Sequence, residues 1–183
     1  MDVAVKTTSQ MLSTKINSIN GFNPKELEFL YKALRLQDKI NNSLEFKTRW
    51  LSAKPSHNNG MRQSEMYELW MSGYSRLSRT YDYQLNYALW KYKKKKGTYA
   101  STDMRTGNIF LNSIHYAYLM SKKHGHIYLS SSLAHEAMHS CFGFKDSWPD
   151  KRNSVPYTMG NIHRKIGEMH LIENQPITAI TIK

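Results

Sequence analysis

Apolar positions recur along the chain with two different periods, and the change between them divides the sequence. Residues 1–20 carry Ser, Thr and Asn without a convincing period, which reads as a loose N-terminal arm. Asn20-Gly21 marks a turn, and Asn23, Pro24 and Glu26 then supply a cap, a first-turn proline and the acid of a capping box. A helix is predicted from 24 to about 40, with Leu27, Leu30, Tyr31, Leu34 and Ile40 as its buried stripe. Residues 54–60 form a loop by composition. A second helical pattern runs from 62 to about 95 through Met66, Trp70, Tyr74, Leu77, Tyr81, Leu85, Ala88 and Tyr92. Gly73 would bend it, and Lys91 and Lys93 to Lys96 would sit at its C-terminal end, where cations suit the helix dipole.

After Gly97 the pattern changes to strand. Residues 98–102 and 108–112 flank Arg105-Thr106-Gly107 as a hairpin. A short helix over 114–120, a loop over 121–125 and a helix over 130–142 follow. Ser130, Ser131 or Ser132 would cap that last helix and Gly143 would stop it. Residues 155–160 read as a loop, 161–172 as a helix and 176–182 as a last strand. The order predicts a single α+β domain over 21–183, with a helical part (21–96) and a strand-and-site part (97–183) whose small mixed sheet is backed by the helix at 130–142.

The length of 183 residues fits that one domain, and 40% hydrophobic residues exclude a disordered polymer. No stretch reaches the roughly 20 apolar residues of a membrane span, and the first residues lack the layout of a secretion signal, so a soluble monomer is expected. Cys141 stands alone, which excludes an intrachain disulfide and a cysteine-rich zinc ribbon. Compartment stays open between a reducing cytosol and an exported mature domain, the latter slightly favoured. The net charge of +12 would attract nucleic acid, anionic cell-wall polymers or acidic proteins. A basic nucleic-acid-binding module using the lysine run and the aromatic stripe is therefore one functional reading.

The chemistry concentrates at His135-Glu136-Ala137-Met138-His139. Four residues are just over one helical turn, so both imidazoles project from one face, a geometry that chelates a divalent ion. Glu136 between them is placed to deprotonate a water without ligating the ion. The motif and its strand-then-helix order resemble the HExxH zinc metallopeptidases, the zincins, over roughly residues 98–170. The resemblance implies one catalytic Zn²⁺, a peptide or protein substrate, and a strand such as 108–112 that borders the cleft and receives it. It also implies a metalloendopeptidase in which Glu136 acts as general base; a zinc amidase or endopeptidase on cell-wall peptides shares the same chemistry.

Two histidines and a water leave one protein ligand to find. Asp146, in Gly143-Phe144-Lys145-Asp146, makes a pattern similar to the aspzincins, HExxH followed by GxxD, with Phe144 where that family usually has Thr. Glu168, on the predicted helix 161–172, is the gluzincin alternative, and His163 and His170 are further candidates. Tyr157 is the first choice for donating to a developing oxyanion, with His163 as its rival. His124 and His126 offer a second pair in a loop, and Cys141 has no adjacent base to activate it. A closed four-ligand site would instead make the metal purely structural.

Overall fold

The computed structural model describes residues 10–93, 99–146 and 150–173. Their order is β1 (Ser13–Asn20), α1 (Pro24–Asn41), α2 (Leu44–Ser52), α3 (Gln63–Met71), β2 (Tyr74–Ser75), β3 (Thr80–Tyr81) and β4 (Gln84–Tyr92). There follow β5 (Ala100–Asp103), β6 (Asn108–Asn112), α4 (Ser113–Met120), α5 (Gly125–Ser140) and α6 (Val155–Glu173), with a single 3₁₀ turn at Lys151–Asn153 before α6. The class is α+β: six helices and a small mixed sheet among the described residues.

The four-stranded sheet runs β1-β4-β6-β5, with β1, β4 and β6 parallel and β5 antiparallel at one edge. Leu85, Tyr87 and Leu89 alternate along β4 into the core, where α5 packs between α1 and α6. The Tyr87 hydroxyl accepts from Gln37 Nε2 (2.6 Å) and donates to the Leu133 carbonyl (3.4 Å), joining β4, α1 and α5 through one buried side chain. No helix among the described residues is long and apolar enough to cross a membrane.

Several expectations hold at this level. The Asn23–Glu26 capping box forms in both directions and starts α1 at Pro24. The β5–β6 hairpin and the short helix before residue 121 are both present.

Three do not. Residues 13–20 are a strand rather than a loose arm; Ile16 and Ile19 pack on the core, and a bulge between Ile16 and Ser18 breaks the two-residue period that would have revealed them. The expected helix over 62–95 ends at Met71. Gly73 adopts φ +64°, and a Cβ there would meet the Gln84 backbone nitrogen at 2.2 Å, so the chain reverses through β2 and β3 and resumes as β4. Lys91 is consequently a strand residue paired with Glu26 (2.5 Å) instead of a helix C-terminal cation. Finally, α5 begins at Gly125, so Ser130 to Ser132 lie inside it rather than capping it, and 155–160 is helix rather than loop. Lys94 to Lys96, the strand expected over 176–182 and residues 1–9 of the arm lie outside the described residues.

Candidate metal centre

The site is assembled by two close approaches that glycine permits. At the start of α5, a Cβ on Gly125 would meet the Leu119 carbonyl oxygen at 1.8 Å, so only glycine lets α5 begin against the end of α4. Further along, Gly160 of α6 stands where a Cβ would lie 3.0 Å from the Ser131 carbonyl oxygen and 3.3 Å from His135 Cβ. Ser131 Oγ donates to the Gly160 carbonyl (2.8 Å) at the same crossing. One turn earlier on α6, Tyr157 therefore reaches over His135, with ring centroids 4.7 Å apart at 90°.

The end of α5 creates the third arm. Gly143 at φ +77° turns the chain back, with its N–H donating to the His139 carbonyl (3.1 Å) and the Phe144 N–H to that of Met138 (3.0 Å). Phe144 is buried, and its carbonyl accepts from His139 Nδ1 at 2.5 Å. A carbonyl can only accept, so Nδ1 carries a proton, and in the neutral ring Nε2 presents a lone pair. The ring of His135 likewise bonds the backbone of Pro156, which has no N–H to give. Burial, reinforced by the neighbouring His139, pushes His135 down to about 4 and keeps it neutral.

Two residues beyond Phe144, Asp146 returns beneath the imidazoles. His135 Nε2 and His139 Nε2 are 3.2 Å apart, and Asp146 Oδ1 lies 3.6 and 3.7 Å from them. Asp146 Oδ1 is buried and has no hydrogen-bond partner among the described residues. Three electron-pair donors thus face one another, an arrangement that is repulsive unless a cation stands among them. A triangle with sides of 3.2, 3.6 and 3.7 Å has its centre about 2.0 Å from each corner, close to the roughly 2.0–2.2 Å of zinc bonds to imidazole and carboxylate. The residues present fit a divalent ion, and they form the only group of three or more candidate ligands among the described residues.

Glu136 points from the same helix into the cleft, 5% exposed. Burial raises its carboxyl above the usual range, opposed by a hydrogen bond from Thr102 Oγ1 to Oε2 (2.5 Å). Thr102 is a partner that no local motif announces, because it stands on β5, 34 residues away in sequence. The alternation of β5 does place it on the same face as buried Ala100, toward α5. The cleft, about 460 Å³, runs between β5, the end of α5 and the first turns of α6. Its strand wall is Tyr99 to Thr102 and Met104; the expected wall, 108–112, is instead the interior strand β6.

The other candidates lie elsewhere. His163 is fully buried, edge-on to Phe46 at 5.4 Å and near Trp70, and lines no part of the cleft. Glu168 pairs with Arg164 (3.2 Å) and, like His170, is outside the ligand group. The His124 and His126 ring centroids are 6.5 Å apart with no third candidate ligand among the described residues, and Cys141 is buried, its thiol pushed up by that burial. No protein-family model, curated protein or solved structure matches the chain.

Proposed function

We propose that this chain is a zinc-dependent metalloendopeptidase of zincin type. The observation that carries the reading is the convergence of His135 Nε2, His139 Nε2 and Asp146 Oδ1 on one point beside an open cleft. Three protein donors with an open side suit a catalytic zinc site, whereas a structural site closes with four. A zinc ion held there would supply Lewis acidity, acidifying a water and polarising a carbonyl.

The remaining work falls to the chain's own groups. Glu136, one residue from the first ligand, accepts the proton of the attacking water and returns it to the leaving amine. Thr102 holds that carboxylate in one orientation through its hydroxyl. Tyr157 presents its phenol on the opposite wall, where it can donate to the oxygen that becomes negative as the carbonyl is attacked. Among the described residues β5 is an edge strand alongside the site, and its outer backbone edge suits an extended peptide that adds to the sheet.

Glu136→Gln separates binding from chemistry. The variant should retain one equivalent of zinc by metal analysis and lose peptide hydrolysis by a factor of about 10² to 10⁴. Unchanged turnover on a peptide library would remove Glu136 from the mechanism.

A further inference from the structure

Apart from the three candidate ligands and Glu136, the only formally charged side chains lining the cleft among the described residues are Lys145 and Lys151. Neither position is accidental in the fold. Lys145 lies between two anchored neighbours, Phe144, whose carbonyl orients His139, and Asp146, the carboxylate arm of the triad. Its side chain is exposed and has no ion-pair partner among the described residues. Lys151 opens the 3₁₀ turn before α6, with Nζ 3.5 Å from Asp146 Oδ2 and 5.5 Å from the centroid of Tyr157. Asp146 therefore turns one oxygen to the imidazoles and the other to Lys151.

Charge accounting decides what these lysines do. Among the described residues the Asp146 and Glu136 carboxylates are the only acids lining the cleft, and together they offset a divalent ion. The two ammonium groups are then in surplus, fixed at the rim of the centre in a chain whose formal net charge is +12. Asn161, on α6 one turn beyond Tyr157, adds an uncharged amide to the same wall. A cleft of this sign favours a substrate that brings its own negative charge close to the reacting carbonyl.

We infer that Lys145 and Lys151 form an anion subsite that selects peptides carrying a carboxylate beside the scissile bond. This rests on the peptidase reading and adds the substrate class to it. The carboxylate comes either from an acidic side chain, as an endopeptidase requires, or from a chain terminus, which would make the same centre a carboxypeptidase; both present the same acceptor to an ammonium group.

The test uses zinc-loaded Glu136→Gln protein, so that binding is read without turnover. Three pentapeptides are titrated by calorimetry: a capped peptide with one Glu, its capped Gln counterpart, and the Gln peptide with a free C-terminal carboxylate. One or both carboxylate peptides should bind about tenfold more tightly than the capped Gln peptide, and raised salt should shrink the difference. A gain for the Glu peptide assigns the site to a side chain; a gain for the free acid assigns it to the terminus. Adding Lys145→Gln and Lys151→Gln should abolish the preference. Lys145→Glu, which alters no ligand, should reverse it toward a lysine-bearing peptide, with zinc content measured in each protein. Equal or undetectable binding of the three peptides, or a preference that survives loss of both lysines, overturns the inference. Hydrolysis by the unaltered enzyme without acidic preference would sink the subsite and leave the peptidase standing; acidic preference without any hydrolysis would do the opposite.

Discussion

His135 and His163 occupy neighbouring helices and share a property that is often read as a functional mark. Burial leads in holding both neutral, His135 at about 4 and His163 at about 3. Their surroundings differ in kind. The His135 ring has the Pro156 backbone on one side and two electron-pair donors, His139 Nε2 and Asp146 Oδ1, on the other. His163 is enclosed by Phe46 and Trp70, and neither ring nitrogen has a hydrogen-bond partner among the described residues. A depressed histidine thus reports burial; convergence of lone pairs is what distinguishes a ligand from a packed ring.

The largest effect that can break this comparison is on metal affinity. His135→Ala should weaken zinc binding by more than about a hundredfold, since it removes one of the three ligands proposed. His163→Leu should leave affinity within about threefold. Competitive titration with a chelating dye reads both, and similar losses in the two variants would erase the distinction.

A second effect is on the pH dependence of stability, to which His163 contributes beside His135 and His126, both also held down to about 4 chiefly by burial. For His163 the folded value lies below the unfolded one, so the unfolded chain binds the extra proton first as pH falls. Stability contributed by the neutral ring is complete above about 6.5 and is lost as pH drops from there toward about 3, by at most about 1.4 kcal/mol per pH unit. Chemical denaturation of the zinc-free protein at pH 7 and pH 5 should show the decline, and His163→Leu should lessen it without removing the share of His135 and His126. An equal decline in the variant would assign the pH dependence to other groups.

The smallest effect sharpens the role of the helix crossing. Gly160→Ala places a methyl 3.0 Å from the Ser131 carbonyl oxygen and 3.3 Å from His135 Cβ, tight contacts that α6 must relieve by moving. A loss of about 1–3 kcal/mol of stability is expected, with zinc binding weakened several-fold because His135 shifts with it. Thermal unfolding with and without zinc measures both, and an unaltered protein would show that the approach is not required.

Much of the site was legible because its determinants are local. His135, Glu136 and His139 follow from one helical turn, and Gly143 to Asp146 follows from a glycine that must reverse the chain. What sequence left open was the choice among Asp146, Glu168 and His163, which depends on where α6 packs. The fold was legible where capping and alternation were regular, as at Asn23 and along β6. It was obscured where a bulge broke the alternation of β1. It was obscured again between 72 and 92, where aromatic residues satisfy a helical period and a strand period together and only the backbone demand at Gly73 decides. Thr102 and Lys151 were silent because their roles come from β5 and the 3₁₀ turn being brought against α5.

The most direct test is X-ray absorption at the zinc edge on protein loaded with one equivalent. Two imidazole nitrogens and a carboxylate oxygen at about 2.0–2.2 Å are expected, with a further light-atom scatterer from solvent, and one imidazole should vanish in His139→Ala. A zinc shell with no imidazole contribution, or one unchanged by His139→Ala, would contradict the assignment of this centre.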